Sequence, residues 1–113
     1  MKTRSETFLT AREIDWEECG TGIRRQIMGY DPNLMVVKVR FDAGAVGARH
    51  SHPHAQTTCI VSGRFEANVG SQTRTLGPGD ACYVDPDQPH GLRCLEEGIV
   101  LDIFAPARTD FLK

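Results

Sequence analysis

Gly44-Ala-Val-Gly-Ala-Arg-His50-Ser-His52-Pro-His54-Ala-Gln56 carries three of the four histidines of this 113-residue chain. Three histidines within five residues, with a glutamine four places after His52, is a ligand-like spacing. On an extended strand, side chains at i and i+2 share a face, so His50 and His52 can reach one ion together. Neutral imidazole is the commonest protein ligand for first-row transition metals. The stretch therefore predicts a metal site carried by a β-strand.

Outward from this segment, alternation rather than helical spacing dominates from about residue 22 onward. In Leu34-Met-Val-Val-Lys-Val-Arg-Phe41, the apolar Met35, Val37, Val39 and Phe41 fall on one face and Lys38 and Arg40 on the other. That is the pattern of a half-buried strand. Ile23-Arg-Arg-Gln-Ile27 repeats it more weakly, and there Arg24 and Arg25 face opposite sides, so at most one of them points inward. Short runs at 57–61, 64–69, 81–84, 91–95 and 99–105 are each fenced by glycine, proline or aspartate. Gly70-Ser71 and Gly77-Pro-Gly-Asp80 are turn signals, because glycine allows positive φ and proline presets φ. Many short strands so spaced predict an all-β protein, an antiparallel sandwich or barrel. Helix signals are scarce. Thr10-Ala-Arg-Glu-Ile-Asp-Trp-Glu-Glu18 predicts either a turn or two, with Thr10 as N-cap and Glu13 at the capping-box position, or an extended arm with Trp16 packed on the barrel wall.

The length suits one domain over 1–113, with an N-terminal arm to about residue 20, a barrel over about 21–106 and a short C-terminal tail. A net charge of −2 offers no footprint for nucleic acid or an acidic membrane. The first residues carry no apolar h-region and no stretch approaches the ~20 apolar residues of a membrane span, so a cytoplasmic protein is the expectation. Cys19, Cys59, Cys82 and Cys94 never form a C-x-x-C pair and read as free structural thiols. Exposed edge strands of a small barrel lead us to expect a homodimer.

Gly44, His50, His52, Gln56 and Gly63, separated by five, one, three and six residues, resemble the first motif of the cupin superfamily, with glutamine where that motif usually has glutamate. A second segment about 30 residues on, Gly79-Asp80, an apolar strand and Asp85-Pro-Asp-Gln-Pro-His90-Gly91, resembles the second motif, its usual proline-x-glycine altered. The resemblance implies a single small antiparallel β-barrel, a jelly roll, with one divalent metal in its mouth held by His50, His52, Gln56 and His90. The residues agree with that set. Positions 50, 52 and 56 share strand parity, and His90 is tethered between Pro89 and Gly91. His54 has the same parity, but Pro53 interrupts the ladder, which suits a supporting or substrate-contacting role.

Glutamine for glutamate matters chemically. A two-histidine, one-carboxylate site suits iron oxygenases. Three neutral imidazoles and a neutral amide leave the full 2+ charge on the ion, a better Lewis acid and a better anchor for an anion. The ligand set admits Zn, Ni, Fe, Cu or Mn.

A closer resemblance spans almost the whole chain. Gly22-Ile-Arg-Arg-Gln-Ile-Met-Gly-Tyr-Asp31, Gly44 to Gln56, Pro89-His-Gly91 and Leu101-Asp-Ile-Phe-Ala-Pro106, with Arg108 and Asp110-Phe-Leu112, resemble the KdgF family of pectin-degradation cupins. Ala55 departs from it, standing where related sequences often carry glutamate. The resemblance implies an enzyme that converts 4,5-unsaturated galacturonate, from pectin or alginate, to its linear 5-keto form, so the expected partner is a small anionic sugar. It also places Asp102 and Phe104 in the active site and matches Arg108 to a family arginine. Asp102 is the only ionisable residue of the apolar strand Ile99 to Ala105, and with Val100 and Phe104 on its face it would sit in the lumen, where desolvation suits it to acid–base work. The alternative is a structural aspartate bonded to a backbone amide or paired with an arginine outside. Arg108 offers a planar fork for a substrate carboxylate. Another metal-dependent cupin enzyme, such as a dioxygenase or sugar isomerase, or a non-catalytic metal- or sugar-binding cupin, is the competing reading.

Overall fold

The computed structural model describes residues 2–112. Its eight strands are β1 (Glu17–Gly20), β2 (Ile23–Asp31), β3 (Leu34–Phe41), β4 (Val46–His50), β5 (Ala55–Val69), β6 (Gln72–Leu76), β7 (Ala81–Val84) and β8 (His90–Ala105). All pair antiparallel, in the order β1-β2-β3-β8-β5-β6, with β4 added to β8 and β7 to β5. No helix among the described residues is long and apolar enough to cross a membrane.

Two strands are twice as long as their sequence suggests. The apolar runs at 57–61 and 64–69 join into β5, and those at 91–95 and 99–105 join into β8. The glycines that fence those runs lie inside the strands, at the point where the two backbones cross. A Cβ built on Gly98 would stand 2.0 Å from the Ser62 carbonyl oxygen, and one on Gly63, whose φ is +82°, would stand 2.5 Å from that of Glu96. Only glycine tolerates such an approach, and the register slips there. The crossing bends the sheet into two layers. On one side Gln56–Cys59 pair with β7 and with the second half of β8, which carries β3. On the other, Phe65–Val69 pair with β6 and with the first half of β8, which carries β4. The expected antiparallel jelly roll is therefore present, but its sheet is open: the end strands β1 and β6 do not close on each other among the described residues.

Gly98→Ala is accordingly expected to destabilise the protein by about 3 kcal/mol, lowering the melting temperature by on the order of 10 °C. A melting curve superimposable on wild type would show that the crossing relaxes freely.

Between the layers lie Met35, Val37, Val39 and Phe41 of β3, as their alternation requires, together with Ile60, Phe65, Cys94 and Val100. Phe41 and Phe65 meet edge to face at 5.3 Å. All four cysteines are free. Strand β6 escapes the alternation rule because its residues 72–75 are exposed and polar and only Leu76 reaches the core; it forms as the return arm of β5 across the Gly70-Ser71 turn. In the N-terminal arm the helical expectation reduces to one 3₁₀ turn, Ala11–Glu13, without a side-chain cap from Thr10. Trp16 is 38% exposed, so it does not pin the arm. Gln26 does: buried on β2, its amide donates to the carbonyls of Ala11 and Ile14 at 2.8 and 2.7 Å.

Candidate metal centre

Three strand ends meet on one side of the jelly roll. β4 ends at His50, β5 brings in Gln56 as its second residue, and β8 begins at His90. His50 and His90 are cross-strand partners, which sets their rings 4.5 Å apart. His52 lies in the turn between β4 and β5, its ring 4.8 Å from that of His90 and 5.5 Å from that of His50. A shared strand face is thus not what unites them. The strand stops at His50, Pro53-His54 turns the chain, and Gln56 returns on a different strand. One ring nitrogen from each of His50, His52 and His90 nevertheless lies within 4.8 Å of the others.

Backbone carbonyls select the nitrogen each ring presents. His50 Nδ1 lies 2.8 Å from Ala48 O, His52 Nδ1 3.1 Å from His54 O, and His90 Nδ1 2.8 Å from Gln88 O. A carbonyl oxygen only accepts, so each Nδ1 carries the proton and each Nε2 a lone pair. His90 Nε2 is buried with no hydrogen-bond partner, and burial lowers the pKa of that ring, favouring its neutral, ligating form. His52 Nε2 faces Gln56 Oε1 at 2.8 Å. With the proton on Nδ1, that contact sets two acceptors against each other, an arrangement a cation resolves. Leaving a buried acceptor unsatisfied costs about 1–3 kcal/mol, so this donor set fits a divalent ion, with three imidazole nitrogens and an amide oxygen on offer. His54 stands outside the group. Its ring packs edge-on against His52 and Phe104, at 5.3 and 6.4 Å, and its buried Nδ1 has no partner.

Asp102 sits directly behind Gln56. The register of β5 on β8 makes it the cross-strand partner of Thr58. Its Oδ1 accepts from the Thr58 hydroxyl at 2.6 Å and from Gln56 Nε2 at 3.3 Å. Among the described residues it pairs with neither a backbone amide nor an arginine, and it lines the same cavity as His50 and Gln56. Burial raises its pKa above the ordinary aspartate value, more than the bonds from Thr58 and Gln56 lower it.

The rim is aromatic and cationic. The buried Phe104 presents its ring edge-to-face to His52 at 5.8 Å and to Phe111 at 5.8 Å. The Arg108 guanidinium lies 5.1 Å over Phe104 and 4.3 Å over Phe111, and its fork binds Asp110 at 3.0 and 2.9 Å. Of the two β2 arginines, Arg25 lines this cavity, 3.8 Å over the same Phe111 ring, while paired with Glu17 at 2.8 Å. Arg24, opposite Arg40 on β3, is on the reverse face of the strand. Sequence reading overlooked Thr58, although strand parity with Gln56 and Ile60 would have placed it inside, and it quoted Phe111 only within the Asp110-Phe-Leu112 likeness without a place in the site, because a short tail carries no periodic signal.

A protein-family model described as "Cupin domain" matches residues 37–104. The pectin degradation protein KdgF of Dickeya dadantii (strain 3937) is 43% identical in a 102-residue alignment that covers 88% of this chain and 93% of that protein. Among solved structures, an RmlC-like cupin from Shewanella frigidimarina NCIMB 400 matches with a TM-score of 0.96 at 40% identity, over 98% of this chain and 100% of that one. KdgF from Halomonas sp. matches with a TM-score of 0.91 at 40% identity, over 96% and 100% of the two chains.

Proposed function

The chain belongs to the cupin family, and from that premise we propose that it is a metal-dependent enzyme converting 4,5-unsaturated uronate monosaccharides to the linear 5-keto-4-deoxyuronate form. One observation carries the reading: a metal centre of neutral ligands shares its cavity with a half-buried carboxylate, Asp102. The likeness to a pectin degradation protein supplies the substrate class.

In such a sugar the ring oxygen belongs at once to a hemiacetal at C1 and an enol ether at C5. Removing the C1 hydroxyl proton forms the aldehyde and breaks the bond from C1 to the ring oxygen, leaving the electron pair on that oxygen as an enolate. Protonation at C4 then gives the 5-ketone. One proton leaves the C1 hydroxyl and one arrives at C4, so the isomerisation balances without a co-reactant. Asp102 is the acid–base in this reading. Its Oδ1 is held by Thr58 and Gln56 while Oδ2 takes no hydrogen bond from the described residues, and its raised pKa makes the carboxylate a stronger base than ordinary aspartate. His50, His52, Gln56 and His90 would hold a divalent ion, which would supply positive charge to stabilise a developing enolate oxygen. Phe104 walls the sugar off from water. Arg108, whose Nε and Nη2 hold Asp110, offers its remaining Nη1 and its positive charge to the substrate carboxylate, with the Arg25 guanidinium stacked on the same Phe111 ring.

The test is to mix metal-loaded protein with unsaturated galacturonate and follow the conjugated double bond by ultraviolet absorbance. Absorbance should vanish well ahead of the spontaneous rate. No acceleration over buffer, with one metal per chain confirmed by elemental analysis, overturns the reading.

A further inference from the structure

We propose that Thr58 is a positioning residue, fixing which end of the Gln56 amide faces the metal centre. The inference rests on reading His50, His52, Gln56 and His90 as ligands, and not on the identity of the sugar.

A glutamine amide has two ends of nearly the same size, and half a turn about its last torsion exchanges them. Only the oxygen end can serve a cation; the other would aim two N–H bonds at it. A ligand glutamine therefore needs a device that selects one orientation, a requirement a carboxylate does not share. Thr58 meets it by elimination. The Asp102 carboxylate oxygen accepts, so the Thr58 hydroxyl, 2.6 Å away, gives it its only proton. That hydroxyl then has lone pairs alone to offer the Gln56 group 2.9 Å away, which must be the NH₂. Its second hydrogen goes to the same Asp102 oxygen at 3.3 Å. With both hydrogens directed backwards, Oε1 is left facing His52 Nε2 at 2.8 Å. The flipped amide would crowd three oxygens together with a single proton among them, and Thr58 and Gln56, 4% and 7% exposed, have little water to relieve it.

The placement follows from the fold. Gln56 and Thr58 are two apart on β5 and so share its inner face, and the β5–β8 register sets Asp102 opposite Thr58. Threonine, branched at Cβ, holds its hydroxyl in few rotamers.

Zinc affinity of the metal-free protein, measured by competition with a chromophoric chelator and no sugar present, tests the role. Thr58→Val, nearly isosteric but without the hydroxyl, should lose about 10- to 100-fold in affinity, the usual effect of removing a partner of a metal ligand. Thr58→Ser should keep wild-type affinity. In a Gln56→Glu background, where both ends of the side chain carry oxygen, Thr58→Val should cost no further affinity. Wild-type zinc binding by T58V overturns the proposal. Equal losses in T58V and T58S, or in the two backgrounds, also overturn it, because a packing defect would act in all of them. Should T58V fail to fold, Thr58→Ala carries the same comparisons. An inactive protein that still shows this pattern of zinc affinities would sink the uronate reading alone.

Discussion

Replacing His90 with alanine is expected to abolish tight metal binding and to reduce uronate turnover by about 10³-fold, corresponding to the loss of roughly 4 kcal/mol of electrostatic stabilisation. The fold should survive. His90 opens β8 with a single side-chain hydrogen bond, from Nδ1 to the Gln88 carbonyl, and its Nε2 is a buried acceptor without a partner. Truncation removes that unsatisfied atom along with the ring's packing, so the metal-free variant should melt near the metal-free wild type. The difference should appear on adding zinc. A ligand that binds only the native state at a hundred times its Kd stabilises by about 2.7 kcal/mol; the wild type should gain this and His90→Ala should not. Zinc-induced stabilisation of His90→Ala equal to wild type would remove His90 from the ligand set.

Asp102→Asn is the second large effect. General acid–base groups contribute about 10²- to 10⁴-fold, and the loss should fall on kcat with zinc affinity kept, because the asparagine oxygen can still accept from Thr58 and Gln56. The same substitution has a stability signature of opposite sign. Burial raises the Asp102 pKa, so the native state holds that proton more tightly than the unfolded chain does. The metal-free wild type is thus most favoured below the ordinary aspartate value of about 3.9 and loses that advantage as pH rises through the raised one. Asparagine has no proton to lose. Metal-free Asp102→Asn should therefore match wild type at about pH 4 and melt increasingly above it towards neutral pH. Undiminished kcat would end the acid–base role; a melting difference that shrinks with rising pH would contradict the raised Asp102 pKa.

The strands were readable because alternation is a local property. β3 is the plainest case, with Met35, Val37, Val39 and Phe41 buried and the residues between them less so. Gly63 and Gly98 misled because a glycine that ends a strand and a glycine that lets two strands cross look alike until the second backbone is present. At the site, motif spacing brought out His50, His52 and His90, which do converge. The strand-parity rationale for it does not apply, since His52 sits in a turn and Gln56 on the following strand.

What the sequence determined by itself was an antiparallel β fold, a sandwich or barrel that the cupin resemblance narrowed to a jelly roll, and the kinds of donor it gathers, because periodicity and ligand spacing are written between near neighbours. Only the tertiary structure decided that Arg25 rather than Arg24 faces the cavity, that each histidine presents Nε2, and that the Gln56 amide turns its oxygen outward from Thr58 and Asp102. The Arg25 placement and the Asp102 contact hang on register across the sheet. Each ligand histidine is turned by a carbonyl two residues from it, in a local chain path that the fold sets. Thr58 and Asp102, 44 residues apart, have no reason to meet until β5 lies beside β8.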